Sequence, residues 1–299
     1  MSRRIAVMGD TVVTLYLANV QSMSKSSRKA NLTAGRPPLV QRKQKSLPSK
    51  ATRSIIRTHH QLHKQLAQAK ALGDIRKAES IEREIEERGG LKVYQDASIT
   101  GQSADRGGDS SKVLMQWLRS SWLESHVAKA RMLEVGALST TNACARSGKF
   151  EMTWIDLNSQ DSKIQQQDFM ERPLPRSDED RFDIISLSLV VNYVPDAATR
   201  GDMLRRTREF LKTSRIGKSP LLFFVLPAPC VTNSRYMDEK TLIEIMESLG
   251  YQMVEQKLSP KLYYSLWAFS TAAMEQKSAF PKVEVNPGRT RNNFCIALI

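Results

Sequence analysis

Apolar and polar residues follow a strand-and-helix alternation over the C-terminal two thirds of the chain. Short apolar runs predict strands, and the stretches between them have helical spacing. The predicted strands are residues 132–135, 151–155, 164–167, 182–187 and 221–226, and the apolar segment 293–299 is expected to be a further buried strand. Strands that alternate with helices favour a mostly parallel sheet covered by helices on both faces.

Apolar residues at helical spacing locate three helices in this region. One is predicted near residues 202–212, and a second begins after the N-capping residue Asp238 and ends at Gly250. The inward face of the second carries Leu242, Ile245, Met246 and Leu249. A third covers residues 113–123, where Trp117 and Trp122 are interpreted as core anchors because large rings dominate buried contacts.

Upstream of this region, residues 52–88 have helical periodicity. They predict two helices, or one bent at Gly73, with a basic face on the first and an acidic face on the second. Residues 90–112 read as a polar loop. The predicted organisation is a basic disordered tail over residues 1–51, a helical appendage with its loop over 52–110, and an α/β domain over 111–299.

The net charge of +14 is concentrated near the N-terminus. Residues 11–73 contain no acid, and twelve basic residues lie between Lys25 and Lys70. Such an arm favours a polyanionic partner such as nucleic acid, or a role as a nuclear and nucleolar targeting signal. The alternative is a solvated tail without a particular partner.

The first 22 residues begin like a signal peptide, with Arg3 and Arg4 before an apolar run that Gly9 and Asp10 interrupt. We expect translation to start instead at Met23, where a basic tail begins.

Composition argues against several protein classes. No apolar run approaches the ~20 residues of a membrane span, so no membrane partner is expected. Three widely spaced cysteines fit neither a disulfide framework nor a zinc module, which indicates an intracellular protein. A metal site is not expected either, because His59, His60 and His63 have no carboxylate or thiol cluster beside them.

The first predicted strand ends in Glu134 and Gly136, and a second acid, Asp156, follows Glu134 by 22 residues at the end of the next strand. This spacing is typical of a doubly wound fold that binds a ribose. Leu138 and Thr141 stand where a dinucleotide site requires further glycines. A ligand with a ribose but no pyrophosphate relaxes that requirement, and S-adenosylmethionine is such a ligand.

Further polar residues follow the other strands. Asp168 and Phe169 offer a carboxylate and a ring for an adenine amino group and face. The fourth strand is followed by Ser188, Asn192 and Tyr193, and the fifth by Asn233, Arg235 and Tyr236. Each has a structural alternative, as a turn glycine, a helix cap or a satisfied loop residue, but their position at successive strand ends favours a nucleoside-type cofactor.

Several segments resemble the fungal 25S ribosomal RNA adenine-N1 methyltransferase family. They are EVGALS at 134–139, IDLN at 155–158, QQDFM at 166–170, FDIISLSLVVNYVP at 182–195, LPAPCVTNSRY at 226–236, and the loop at 94–112. The resemblance implies a class I methyltransferase (Rossmann-like) fold with a seven-stranded sheet. It also implies S-adenosylmethionine at Gly136 and Asp156, and a nucleolar role in modifying large-subunit rRNA. A metazoan branch of the family senses S-adenosylmethionine.

Three functional hypotheses follow. The first is a monomeric rRNA methyltransferase of the nucleus and nucleolus that acts on the pre-ribosome, with Glu134, Asp168, Phe169 and Ser188 completing the cofactor site. In this hypothesis the adenine or its phosphate is read by Asn192, Asn233 or Arg235. The base stacks on Tyr193 or Tyr236. The candidate for a carboxylate that binds the positively charged product is Asp109. The second is a non-catalytic S-adenosylmethionine sensor, and the third is a ribosome-assembly factor with a vestigial pocket. The basic arm favours the first.

Overall fold

A computed structural model describes residues 48–101, 108–118, 122, 129–159, 161–213, 219–270 and 279–299. Its centre is a seven-stranded sheet with the strand order β3-β2-β1-β4-β5-β7-β6. The strands are β1 Ala130–Val135, β2 Phe150–Asp156, β3 Gln165–Gln166, β4 Ile184–Ser188, β5 Leu221–Pro227, β6 Tyr251–Leu258 and β7 Leu262–Phe269. Strands β1 to β5 are parallel, and β7 pairs antiparallel with both β5 and β6.

Eight helices lie among the described residues. They are α1 Ser49–Ala71, α2 Ile75–Glu87, α3 Gly90–Gly101, α4 Ser111–Trp117, α5 Ala143–Arg146, α6 Ala197–Phe210, α7 Pro229–Thr232 and α8 Glu239–Ser248. Two 3₁₀ turns, Asp178–Asp180 and Val191–Tyr193, flank β4. In the part of the chain that is described, no helix is long and apolar enough to span a bilayer.

The sheet is covered on both faces, as the alternating pattern predicted. On one face, Leu133 and Val135 of β1 pack in a cluster with residues of α6 and α8. On the other, Met132 of β1 packs with α4 in a second cluster. Successive strand residues point to opposite faces, so a strand buried on both sides is apolar throughout. This mostly parallel, seven-stranded sheet with helices on both faces agrees with the fold that the resemblance implies.

Strands β1 to β5 lie where the apolar runs predicted them, but the C-terminal segment does not form the predicted strand. Residues 294–298 are buried as expected, yet only isolated bridges, such as Phe280 to Leu298, involve this segment. The Ala297 N–H donates to the Ala197 carbonyl of α6 at 2.9 Å, so the segment packs on a helix. The last two strands of the sheet are β6 and β7, which the sequence pattern did not locate.

The helical appendage has one more helix than predicted. Two helices separated at Gly73, with φ +69°, agree with the sequence pattern. Residues 90–101 form α3 and are not the predicted polar loop, because Gly89 at φ +91° allows the chain to turn tightly and restart a helix. Helices α1 to α3 belong to the same compact unit as the sheet. The predicted basic tail lies almost wholly outside the described residues.

The two other helices of the α/β region form close to their predicted positions. Helix α6 begins earlier than predicted, after Asp196, whose side chain accepts from the Thr199 N–H at 2.8 Å. Asp238 caps α8 in the same way through the Thr241 N–H. The inward residues predicted for α8 are all buried. Trp117 packs edge-on against Phe223, with ring centroids 6.1 Å apart, in keeping with a core anchor.

Candidate active site

The carboxyl ends of β1, β2 and β4 lie side by side at the centre of the sheet. Strand β1 is flanked by β2 on one side and β4 on the other, so the order of connection reverses at β1. Ligands of open α/β sheets bind at such a reversal, outside the carboxyl ends of the strands. Three of the predicted site residues, Gly136, Asp156 and Ser188, stand at these three strand ends.

Gly136 forms the turn after β1, and only glycine fits there. Its φ is +72°, in the left-handed region, and a Cβ atom would lie 2.7 Å from Cγ2 of Val190. The N–H groups of Gly136 and Ala137 both donate to the Ile155 carbonyl of β2, at 2.8 and 3.1 Å. The turn is thus held between β2 and the segment that follows β4, with bare backbone at the strand ends.

Glu134 is a carboxylate in β1 with a perturbed pKa. The Asn142 Nδ2 donates to both carboxylate oxygens, at 2.9 and 2.7 Å. Burial raises the pKa of Glu134 to about 7; the Asn142 amide opposes that rise, and the charge of Asp109 adds to it. A carboxylate with such a pKa takes up and releases a proton near neutral pH, which is often a property of functional sites.

Asp156 and Asp168 hold the turns that follow β2 and β3. Asp156 Oδ1 accepts from the Asn158 N–H at 2.9 Å, and Asp168 Oδ1 accepts from the Met170 N–H at 2.7 Å. Both side chains are half-buried. These are turn contacts and not the helix caps that were the structural alternative for both residues, and the ligand-binding role of each stays a prediction.

Phe169 lies in the core. Its side chain is 3% exposed, and its ring centroid is 5.3 Å from that of Phe210 in α6. A ring packed in this way has no face for a ligand. The structure thus corrects the expectation that the Phe169 ring covers an adenine.

The segment after β4 is held in an unusual conformation. Leu189 has φ +59°, the only positive φ of a non-glycine residue among those described. On either side of it, Ser188 Oγ lies 2.8 Å from Ser110 Oγ, and Val190 faces Gly136. Non-glycine residues keep such a conformation when the surrounding structure imposes it, and functional sites are enriched in them.

Asn192 and Tyr193 follow in the 3₁₀ turn. Asn192 Oδ1 is buried without a hydrogen-bond partner. A buried acceptor without a partner costs about 1–3 kcal/mol, so Asn192 Oδ1 is a candidate acceptor for a ligand. The Tyr193 ring meets the Tyr94 ring of α3 edge-on, with centroids 5.6 Å apart.

Asp109 joins two helix starts. Its Oδ1 accepts from the backbone N–H and the hydroxyl of Ser111, at 3.0 and 2.5 Å, and its Oδ2 accepts from the Ala143 N–H at 2.6 Å. Both oxygens are engaged with α4 and α5. This corrects the expectation that Asp109 binds a positively charged product.

Sequence reasoning missed Ser110 and Asn142 at this site. Asparagine is favoured at the N-cap of a helix, and Asn142 takes that position before α5, where its Oδ1 accepts from the Ala145 N–H at 3.0 Å. The partner of Ser110, Ser188, is 78 residues away along the chain.

Asn233 and Arg235 contact the C-terminal segment. The Asn233 carbonyl accepts from the backbone and side chain of Asn292, at 3.0 and 2.8 Å. The Arg235 guanidinium donates to the carbonyls of Gly288 and Arg291, at 3.0 and 3.4 Å. These contacts give Arg235 a structural role, and the predicted reading of adenine or phosphate stays a prediction.

The residues around Gly136 fit an adenosine cofactor that carries a cationic amino acid. The Gly136 turn provides a cradle that a Cβ atom would fill, and two carboxylates, Asp156 and Glu134, stand beside it for ribose hydroxyls and for positive charge. Among the described side chains, no group of three His, Cys, Asp or Glu is placed to hold a metal ion.

Residues 79–296 match the family described as 25S rRNA (adenine(2142)-N(1))-methyltransferase, Bmt2. The 25S rRNA adenine-N(1) methyltransferase of Schizosaccharomyces pombe is 40% identical over 250 residues, which cover 82% of this chain and 90% of that protein. The 25S rRNA (adenine(2142)-N(1))-methyltransferase of Saccharomyces cerevisiae is 42% identical over 219 residues, 73% of this chain and 63% of that protein. Among solved structures, the N-methyltransferase NodS from Bradyrhizobium japonicum WM9 with S-adenosyl-l-homocysteine matches with a TM-score of 0.38 and 16% identity, over 54% of this chain and 87% of that one.

Proposed function

Because this chain belongs to the family of 25S rRNA (adenine(2142)-N(1))-methyltransferases, we propose that it transfers the methyl group of S-adenosylmethionine to N1 of an adenine in large-subunit rRNA. The observation that carries the proposal is the Gly136 cradle at the reversal of the sheet, where Val190 leaves no room for a Cβ. Ligands of this fold bind at that place.

Four residues are proposed to hold the cofactor. Asp156 accepts hydrogen bonds from the ribose hydroxyls, and Asp168 accepts from the adenine amino group. Glu134 balances the positive charge of the amino-acid part, and Ser188, already bonded to Ser110, completes the wall at the end of β4. The cofactor supplies a methyl group that its sulfonium has already activated.

The protein's own task is then to orient the target adenine. N1 is a nucleophile through its in-plane lone pair, so a general base is not required, and the rate gain comes from alignment and exclusion of water. N1 lies on the base-pairing edge, so the target must be single-stranded or flipped out. The unpartnered Asn192 Oδ1 is suited to accept from the adenine amino group, and Tyr193 is suited to stack on the ring.

The basic arm is proposed to supply affinity for RNA that does not depend on sequence. The twelve basic residues between Lys25 and Lys70 can neutralise phosphates and release counterions, so RNA binding should weaken steeply with salt. This property agrees with a substrate in the pre-ribosome and a place in the nucleus and nucleolus, where we propose that the protein acts as a monomer.

Nucleoside mass spectrometry of unmodified large-subunit rRNA, incubated with the protein and S-adenosylmethionine, tests the proposal. We expect new N1-methyladenosine with the wild-type protein and none with Gly136→Arg, whose side chain fills the cradle. Cofactor binding without any methyladenosine would favour the sensor alternative. A sensor does not methylate RNA, so it needs no residue such as Asn192 to bind a target adenine. Absence of cofactor binding as well would favour a structural assembly factor.

A further inference from the structure

The helical appendage has a small core of its own. Leu62 and Ala69 of α1 pack with Ala78 and Ile81 of α2. Helix α3 also packs on α1 and contacts α2, so the three helices pack together. The appendage can thus hold a side chain of α3 in a fixed place.

The Tyr94 ring of α3 lies between the His59 ring of α1 and the Tyr193 ring of the active site. On one side, the His59 ring of α1 stacks on it, with centroids 4.4 Å apart and planes 13° apart. On the other, its ring meets Tyr193 at 5.6 Å and 80°, the edge-to-face geometry that aromatic pairs prefer. The three rings connect α1 to the residue next to Asn192.

The His59 ring is uncharged in this stack. Burial lowers its pKa to about 4, and the charge of the neighbouring His63 acts in the same direction. His63 lies with its ring centroid 4.3 Å from that of His59. A neutral imidazole packs against a phenol without the cost of a buried charge, so the stack is an apolar support at neutral pH.

The segment that Tyr94 contacts is short and irregular. The 3₁₀ turn contains only Val191–Tyr193. Such turns have weaker hydrogen-bond geometry than α-helices, so outside contacts decide how precisely they are held. Val191 is buried in the core and fixes one side of the turn. The Tyr94 ring contacts the turn from the appendage.

We propose that Tyr94 is a positioning residue of the methyl transfer, which fixes Tyr193, and with it the Asn192 amide, against the target adenine. The proposal rests on the proposed function and adds a task for the appendage: one helix outside the α/β domain sets the geometry of the substrate-reading turn. A shift of about 1 Å in a positioned group can cost about 100-fold in rate, so a single ring contact is enough to matter.

Steady-state methylation by Tyr94→Ala, Tyr94→Phe and wild type tests this role. We expect Tyr94→Ala to lower kcat about 2- to 13-fold, the range of a lost aromatic pair, with the KM for RNA and the Kd for cofactor unchanged from wild type. Tyr94→Phe should restore kcat, because the ring contact with Tyr193 needs no hydroxyl. Leu66→Ala is the matched control: Leu66 packs against the appendage core, so its truncation should lower the melting temperature while both tyrosine side chains are kept.

The outcomes separate the two proposals. Wild-type protein without activity would refute the proposed function. With active wild type, unchanged kcat in Tyr94→Ala would refute the positioning role, as would failure of Tyr94→Phe to restore kcat. An equal loss of kcat in Leu66→Ala, well below its melting temperature, would show that Tyr94 acts only through the stability of the appendage, and would also overturn the inference.

Discussion

Glu134 should make cofactor binding depend on pH near neutrality. Burial raises its pKa to about 7, so the protein without cofactor holds a mixture of protonated and ionised carboxyls at pH 7. A cationic ligand beside this carboxyl favours the ionised form. Binding of S-adenosylmethionine should therefore release a proton, and its affinity should rise with pH.

The size of this effect follows from the pKa. About one tenth of the Glu134 side chains are ionised at pH 6 and about nine tenths at pH 8, given a pKa of about 7. If the ionised form alone binds, the apparent Kd falls about ten-fold between these pH values, because it scales inversely with the competent fraction. At pH 7, binding should release about half a proton.

Isothermal titration calorimetry measures both quantities. Titrations at pH 6, 7 and 8 give the Kd, and repeating the pH 7 titration in two buffers of different ionisation enthalpy gives the proton release. Glu134→Gln removes the titrating group and keeps an oxygen for the Asn142 amide, so its Kd should be nearly independent of pH relative to wild type. The cofactor's own amino group titrates equally with both proteins and cancels in the ratio of the two Kd values.

Asp156→Asn is the matched control. It removes the charge of the proposed ribose carboxylate, so it should weaken binding at every pH while the pH slope set by Glu134 remains. A wild-type Kd that is constant from pH 6 to 8 would refute the reasoning. An unchanged slope in Glu134→Gln would do so too, since the proton would then come from another group.

Three further predictions follow, two from the close contacts of Gly136 and Gly201 and one from the Glu134 carboxyl. Gly136→Ala should weaken cofactor binding about ten-fold in calorimetry, because its Cβ would lie 2.7 Å from Val190 Cγ2 and would displace that side chain at the strand ends; adding Val190→Ala should recover part of the loss. Gly201→Ala should lower stability in urea unfolding by about 1–3 kcal/mol or more, because its Cβ would lie 1.9 Å from the Ala297 carbonyl oxygen. Because the pKa of Glu134 is raised in the folded state, its contribution to stability is fully present below the unfolded-state pKa and is lost as the pH rises to about 7. Over this rise in pH, the melting temperature should therefore fall more in wild type than in Glu134→Gln.

Gly148 provides a control for the first of these substitutions. Its φ of +68° is close to that of Gly136, but a Cβ there has no atom within 4 Å. Gly148→Ala therefore measures the backbone cost alone, and it should leave cofactor affinity unchanged. If it weakens binding as much as Gly136→Ala does, the Val190 contact is not the reason for the glycine.

The sequence predicts features that depend on neighbours along the chain. The cap at Asp238 and the turn at Gly136 are set by residues a few positions away, and both occur where predicted. Strand β6 was missed because it is an edge strand whose half-buried positions are not all apolar: Glu255 is half-buried, while Val254 beside it is exposed. Strand β7 follows β6 directly, with no helix between them.

Features that depend on distant partners could not be predicted. Phe169 looks available in the sequence, and only Phe210 of another element shows that its ring is in the core. The C-terminal segment has the composition of a strand, but its last residues bond to Ala197 of α6 and to Phe280, away from the edge strands β3 and β6. Pairing partners of this kind are set by the tertiary fold.

The missing glycines of the β1 turn have a physical explanation in helix α5. A dinucleotide fold binds pyrophosphate with the free N–H groups at a helix N-terminus. In this protein the Ala143 N–H donates to the Asp109 carboxylate and the Ala145 N–H donates to Asn142, so protein groups already occupy that position. A phosphate there would also face the negative charge of Asp109. One glycine is needed, at Gly136 where Val190 approaches, and the site as built favours a cofactor that carries positive charge and no phosphate.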